Sequence, residues 1–394
     1  MKLLVLLPRV PYPLEKGDKL RAFYQIKELS KYHDIYLVAL QDTPLHPQAL
    51  EKIAPYCKEI HLFKLSWLTK FLGIVYAFFQ CLPVQCGYFY SWNAKRKIRK
   101  LITQICPDHI YCYMIRMAEY VKKYKASPKT LDYQDVLSMG MKRRYEKAAW
   151  WKKPVFLYEY RALKRYEKNI FPCFTNKTII THTDRDLIPH AQNQYLHVIP
   201  NGIDFEKFIY VNKEKIYDLI FAGNMSYPPN VDAALFLAKM IFPKLLEQFP
   251  DLKLCICGAT PTPAVQALAS AHIHVTGWVE DMSEYYAKSR IFIAPMHLGT
   301  GLQNKLLEAM AMKLPCVTSP LAGKPLEKAT PNQEMLICHN NNEYVEAVSS
   351  LLSDKNLYQT IAENGYAFVK TNYNWVEVGK RLKEVMNENE TKNN

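Results

Sequence analysis

The segment Pro295-Met296-His297-Leu298-Gly299-Thr300-Gly301-Leu302-Gln303-Asn304-Lys305-Leu306-Leu307-Glu308-Ala309-Met310-Ala311 gathers the residues of this chain whose types and spacing best suit chemistry. It turns through two glycines and enters a run of Leu, Ala, Met and Glu, so it reads as a loop feeding a helix. Backbone amides at such a helix start favour an anion. Gly299 and Gly301 let a diphosphate or a sugar hydroxyl come close to the main chain. Glu308 shares the helix with apolar Leu306, Leu307 and Met310, so its carboxylate is expected to be partly enclosed and to need hydrogen-bond donors. The vicinal hydroxyls of a ribose would supply two, and Lys305, one turn earlier, would offset phosphate charge. The competing reading of Glu308 is a surface residue on an ordinary helix.

A second group lies near the start of the chain, where Gly17 precedes a helix and sits beside Lys16, Lys19 and Arg21. Glycine there permits close backbone approach, although the same residues also suit a plain turn. Among the histidines, His297 lies in the glycine loop and would face a ligand held there, whereas His109 begins a strand and His182 ends one, and each reads first as structural. The ten cysteines are scattered without a C-x-x-C pair or a Cys/His cluster at zinc spacing, and Cys255 and Cys257 fall in an apolar strand where thiols pack. That usage fits a reducing cytoplasm. No Ser-His-Asp arrangement, P-loop or G-x-G-x-x-G after the first strand occurs, which weakens hydrolase and dehydrogenase readings.

These residues need elements to hold them. The 394 residues exceed one core, and nearly half are apolar, enough for two. Strand-like apolar runs alternate with longer amphipathic stretches, the pattern of parallel sheets covered by helices. In the first half the strands are expected at Leu3–Leu7, Ile35–Leu40, Ile60–Phe63, His109–Tyr113, Thr130–Tyr133 and Thr178–Thr181, with a helix from about Lys19 to Tyr32. In the second they fall near Leu219–Ala222, Lys253–Cys257, Ile273–Thr276, Ile291–Ala294 and Pro315–Thr318. The opening Leu run is too short for a signal peptide and lacks a cleavage site, so it reads as a buried first strand. A boundary is expected near residues 200–217, after Pro200-Asn201-Gly202. The fold class is therefore α/β, with two Rossmann-like, doubly wound parallel-sheet domains whose sheet ends are expected to face one another across a cleft.

Charge separates the halves. Residues 1–200 hold 33 Lys and Arg against 16 Asp and Glu, and residues 201–394 hold 18 against 21. A basic first half implies an anionic partner, such as a membrane surface or a phosphorylated acceptor; no nucleic-acid-binding signature accompanies the charge. Within that half, Leu62–Leu82 carries Trp67, Phe71, Leu72, Ile74, Val75, Tyr76, Phe78 and Phe79, followed by Lys95-Arg96-Lys97 and Arg99-Lys100. Two readings stand side by side: an interfacial helix against anionic lipid, or a buried helix beside a solvated charged face.

The glycine loop and helix resemble the nucleotide-sugar signature of retaining GT-B glycosyltransferases, the large family of sucrose- and glycogen-synthase-like enzymes. In that family two glutamates with seven residues between them lie here, the second on the donor ribose and the first toward the transferred sugar. Glu308 matches the second, and Thr300 stands where the first would be. The form G-x-G-x-Q-N-K-x-L-E-A-M-A is similar to a bacterial subgroup of exopolysaccharide-associated sugar transferases. Arg9-Val10-Pro11-Tyr12-Pro13 with Gly17-Asp18-Lys19-Leu20-Arg21 resembles that subgroup's opening, which implies that Gly17 and Arg21 lie by the donor diphosphate. Asp132-Tyr133-Gln134-Asp135 resembles its D-x-x-D segment, where Asp135 would orient or deprotonate an acceptor hydroxyl; a helix cap or a structural salt bridge is the alternative. Gly223 and Asn224, before Pro229-Asn230-Val231-Asp232, match its glycine turn, with Asn224 where many relatives carry a phosphate-binding Arg. In relatives the loop after Gly277 lies near the base, so Trp278 or Val279 would touch it, although Trp278 reads first as a core residue.

The resemblance implies donor contacts from Gly17, Arg21, Gly223, Asn224, Trp278, Val279, Gly299, Thr300, Gly301, Leu302, Gln303, Asn304, Lys305 and Glu308, and candidate catalytic roles for Asp135, His297 and Thr300. It implies an acceptor-binding domain over 1–200, a donor-binding domain over 201–374, and a helix over 375–394 packing back on the first. The expected activity is transfer of a hexose-type sugar from a nucleoside diphosphate sugar to a glycan or lipid-linked acceptor, with retention, without metal or cofactor. It would take place in the cytoplasm at the inner face of the plasma membrane, during polysaccharide biosynthesis. A nucleotide-sugar epimerase of the same fold, a donor-binding protein without catalysis and a membrane-interaction module are the competing classes.

Overall fold

The strand Lys2–Leu7 (β1) alternates between two cores: Leu3, Val5 and Leu7 pack on one side of a sheet and Leu4 and Leu6 on the other. A strand buried on both faces in this way belongs to a parallel sheet covered twice. The computed structural model describes residues 1–14, 16–299, 301–326 and 328–387. The chain divides into two compact units, Met1–Pro200 with Trp375–Asn394, and Asn201–Asn374.

In the first unit β1 is joined by Asp34–Gln41 (β2), Glu59–Lys64 (β3), His109–Tyr113 (β4), Lys129–Asp132 (β5), Asn176–Ile179 (β6) and His197–Val198 (β7), in the order β3-β2-β1-β4-β5-β6-β7. Every pairing is parallel. Helices Gly17–Leu29 and Trp375–Asn387 cover one face, where Tyr24 stacks on Trp375 with ring centroids 5.1 Å apart and Asn176 donates Nδ2–H to the Val385 carbonyl at 2.6 Å. Helices Trp92–Ile105 and Lys153–Ile170 lie on the other, through Ala94, Ile98 and Ile102 and through Leu163, Tyr166 and Ile170.

The second unit repeats the scheme with Tyr217–Ala222 (β8), Leu254–Cys257 (β9), Ile273–Val275 (β10), Ser289–Ala294 (β11), Cys316–Thr318 (β12) and Leu336–Ile337 (β13), in the order β10-β9-β8-β11-β12-β13. Its pairings are parallel too. Both sheets therefore run out from a first strand in one direction and then in the other, the doubly wound order of a Rossmann unit.

Two local expectations need correction, and two strands lie beyond those expected. The strand expected at Thr178–Thr181 ends at Ile179, because Thr181 turns to cap the helix His182–Leu187, accepting from Asp184 N–H. Two short edge strands, β7 and β13, carry too few residues to show a period. Trp67–Phe79 is a helix, but Gly73 and Ala77 are its buried residues while Trp67, Phe71, Phe78 and Phe79 lie exposed, so it is not a buried helix. Among the described residues no helix is long and apolar enough to cross a membrane.

Candidate functional site

Where the strand order reverses, adjacent loops diverge to opposite faces of the sheet and leave a crevice at the carboxyl ends of the strands. In the second unit that point lies between β8 and β11, paired in register Leu219↔Ile291 and Ile220↔Phe292. The loop after β8 is Gly223-Asn224, and the loop after β11 is the Pro295–Gln303 stretch that feeds the helix Asn304–Ala311. The segment singled out from sequence thus sits at the switch point.

The β8 loop is set by backbone crowding. Gly258, after β9, has φ +145°, and a Cβ there would stand 1.8 Å from the Gly223 carbonyl oxygen. The Asn224 Oδ1 accepts from Ser226 N–H at 2.9 Å, Ser226 Oγ–H at 2.7 Å and Thr260 Oγ1–H at 3.1 Å, folding the turn on itself. Asn230 then donates Nδ2–H to the Asn224 carbonyl at 2.9 Å, and its Oδ1 accepts from the Lys305 ammonium at 2.6 Å. One side chain therefore couples the two switch-point loops.

Lys305 is half-buried; its ammonium lies 4.8 Å from the centre of the Phe221 ring and 3.6 Å from the Met296 sulfur. Burial lowers its pKa to about 7, against the opposing pull of Glu308. One turn on, Glu308 is also half-buried and accepts from the Tyr286 hydroxyl at 3.0 Å. Burial raises its carboxyl above the ordinary range, while the Tyr286 hydrogen bond and the charges of Lys207 and Lys305 oppose the rise. A carboxylate held by one donor, with part of its surface open, retains lone pairs for a diol.

The remaining members of the loop are brought close by. Gly299 and Gly301 adopt φ +115° and +74°, a region that favours glycine. Leu302 packs against the core; Gln303 donates to the Gly301 carbonyl at 3.3 Å; the Asn304 Oδ1 accepts from Asn201 Nδ2–H at 3.1 Å, anchoring the helix start. His297 turns toward the helix Pro228–Phe236, with Nδ1 3.5 Å from Asp232 Oδ2 and its ring edge-on to Phe236 at 4.2 Å. Thr300 lies outside the described residues. Trp278 corrects the core expectation, since it is 62% exposed after Gly277 at φ +75°, while Val279 packs partly against the core. Thr276, two residues before Trp278, is tied to the loop after β9, its hydroxyl accepting from Gly258 N–H at 3.3 Å.

The first unit disposes its candidates differently. Gly17 is exposed at the start of its helix, with open space where a Cβ would stand. Arg21 is fully buried, with Nε 3.0 Å and Nη2 2.9 Å from Asp132 Oδ2 and Nη1–H donated to the Pro200 carbonyl. The same Asp132 oxygen accepts from Gln25 at 3.1 Å and from the Tyr111 hydroxyl at 2.8 Å. The expectation that Arg21 meets a donor diphosphate is therefore corrected: its guanidinium is consumed in holding β5 to the Gly17–Leu29 helix. The two aspartates of the D-x-x-D segment divide accordingly. Asp132 is structural, and Asp135 keeps its side chain at the surface. Its carboxyl is nonetheless pushed up to about 6, first by surrounding protein and then by the charge of Asp184. His109 is buried against the Thr130 hydroxyl at 2.8 Å and held neutral by burial, its pKa near 4, a structural residue. His182 opens the short helix after β6.

Sequence reasoning missed the supporting residues. Tyr286 lay outside every motif, Phe221 inside a strand-like run, and Met296 and Asn230 inside motifs that gave them no role of their own. Only their convergence on Lys305 and Glu308 gives them a role. Among the described residues no three of His, Cys, Asp or Glu come together as a set of metal ligands.

Residues 217–354 match the family model described as "Glycosyl transferases group 1". Over almost its whole length the chain is similar to an uncharacterized 44.6 kDa protein in the cps region of Klebsiella pneumoniae, with 23% identity covering 94% of this chain and 96% of that one. Its fold is that of GT-B glycosyltransferases. The crystal structure of Anabaena HepE in complex with UDP superposes with a TM-score of 0.70 and 14% identity, over 98% of this chain and 100% of that one. Sucrose-phosphate synthase from Thermosynechococcus elongatus gives 0.68 and 13%, over 98% and 99%.

Proposed function

We propose, for a chain whose second unit is a group 1 glycosyltransferase domain on a GT-B fold, that it transfers a sugar from a nucleoside diphosphate sugar to a hydroxyl of a glycan or lipid-linked acceptor, with retention at the anomeric carbon. The observation that carries the reading is the pairing, one helical turn apart at the switch point, of a half-enclosed carboxylate with a lysine of depressed pKa. Glu308 takes the ribose diol, Lys305 and the amides of the 299–305 turn take the diphosphate, and Trp278 offers a face to the base. Such a site stabilises charge building on the departing diphosphate through fixed dipoles and a cation, which is the main demand of the reaction. Protein groups supply that charge in this reading, without a resident metal or redox cofactor.

The UDP bound by the Anabaena neighbour supports a nucleoside diphosphate donor. The place of the Klebsiella relative in a cps region supports work in polysaccharide biosynthesis. In the first unit, Asp135 is the candidate for orienting or deprotonating the acceptor hydroxyl, since a carboxyl poised near 6 exchanges protons at neutral pH.

The test is product analysis by NMR after incubating the purified chain with a panel of nucleoside diphosphate sugars. The expected result is release of nucleoside diphosphate and of a sugar whose new bond, to acceptor or to water, keeps the donor's anomeric configuration. A changed sugar still attached to its nucleotide would favour an epimerase, and an untouched panel would leave a binding protein.

A further inference from the structure

The Trp67–Phe79 helix has its small and large residues on the opposite sides from those of an ordinary core helix. Gly73 and Ala77 face inward, and the packing is so close that a Cβ on Gly73 would stand 2.2 Å from the Gly87 carbonyl oxygen. The bulky residues point the other way. Trp67, Phe71 and Phe78 recur at helical spacing along one row, and Leu68, Leu72 and Phe79 along the next. Trp67 is 77% exposed and Phe79 76%. A water-soluble surface rarely leaves so large and contiguous an apolar patch uncovered.

Beside it lies the opposite chemistry. The helix Trp92–Ile105 buries Ala94, Ile98, Ile102 and Ile105, and turns Arg96, Lys97, Arg99 and Lys100 outward, with Lys95 half-buried; it contains no acidic residue. Four of these cations, with Tyr90 and Trp92, line an open groove of about 670 Å³. Tyr76, on the apolar helix, stacks on Tyr90 at 5.0 Å and meets Trp92 edge-on at 5.0 Å. The apolar rows and the cationic groove are thus joined through one aromatic cluster.

We propose that this joined surface docks the protein on an anionic lipid bilayer, with the Trp67–Phe79 helix lying in the headgroup layer and the Trp92–Ile105 cations on lipid phosphates. The helix, about 20 Å long, suits lying in the interface rather than crossing the bilayer. A second copy of the chain fits worse: a twofold contact covering the whole joined surface would leave the cationic groove facing a partner surface with no acidic residue on the matching helix. A polyanion alone leaves the apolar rows in water. A bilayer with acidic headgroups meets both demands, and tryptophan and phenylalanine are residues that settle at its boundary. The inference stands apart from the reading of the second unit.

The test is flotation of the full chain with phosphatidylcholine vesicles, with and without phosphatidylglycerol. Binding should require the acidic lipid, weaken as salt rises, and bring Trp67 within reach of quenching by brominated acyl chains. The variant Arg96→Gln/Arg99→Gln/Lys100→Gln should lose about a hundredfold in partitioning. The variant Trp67→Ser/Phe71→Ser/Phe79→Ser, altered only at exposed positions, should keep its circular dichroism and melting curve and lose binding at least tenfold. No flotation with acidic vesicles, equal flotation with neutral ones, or unchanged binding by both variants would overturn the proposal. So would a lipid-free dimer in light scattering that the serine variant dissociates, which would assign the face to a second copy.

Discussion

Lys305 offers a thermodynamic signature of donor binding that a merely structural lysine lacks. Its ammonium sits against Phe221 and Met296, and burial lowers its pKa to about 7. A diphosphate placed beside it favours the charged form, so binding draws a proton wherever the free protein has lost it. The sign follows: affinity is greatest at and below pH 7 and falls as pH rises through it. From a pKa of about 7, roughly a quarter of free molecules carry the charge at pH 7.5 and roughly one in a hundred at pH 9, so affinity should drop roughly 25-fold between them. The phosphates of a nucleoside diphosphate are already ionised across that window. Isothermal titration calorimetry with nucleoside diphosphate at pH 7.5 and 9, in two buffers of different ionisation heat, measures both the affinity and the proton count. Close to one proton should be taken up at pH 9, and none by Lys305→Met, whose affinity should be weaker at pH 7 and flat with pH. A wild-type affinity that does not change with pH, with no proton uptake, would refute contact between Lys305 and the diphosphate.

Glu308 should separate binding from stability: Glu308→Gln keeps an acceptor for the Tyr286 hydroxyl and should melt like the wild type, yet lose about tenfold to a hundredfold in donor affinity, the worth of charge-assisted bonds to a diol. Glu308→Ala should lose that affinity and also about 1–3 kcal/mol of stability, because a buried phenol is left without its partner, as urea unfolding would record. In the first unit, Asp132→Ala strands the fully buried Arg21 guanidinium and should cost about 3–5 kcal/mol, whereas Arg21→Met/Asp132→Leu, which removes both charges, should recover much of the loss. Equal unfolding midpoints for Asp132→Ala and the wild type would show that the pair is not the support for β5 described above.

Much of this was legible from residues alone where an apolar run stood clear of its polar flanks. His109–Tyr113 forms the strand its apolar run announced, and Leu219–Ala222 and Ile291–Ala294 lie inside β8 and β11. The Gly299–Glu308 segment was legible because its glycines and its carboxylate sit at offsets fixed by a loop-to-helix turn. What sequence could not show was which way side chains point. Arg21 was expected by the donor diphosphate, but its helix turns it inward, where Asp132, 111 positions away, neutralises it. Trp278 looked like core because indoles usually are, yet the residue follows a left-handed Gly277 that swings it out. In Trp67–Phe79 the apolar period was visible, while the burial of Gly73 rather than Trp67 depended on Gly87, a neighbour that periodicity does not reveal.

The most direct measurement is a crystal structure of the full chain with the nucleoside diphosphate that calorimetry finds to bind best. The account requires both ribose hydroxyls on the Glu308 carboxylate and the diphosphate against Lys305 and the amides of the 299–305 turn. A nucleotide bound elsewhere, with Glu308 touching only Tyr286 and water, would contradict it.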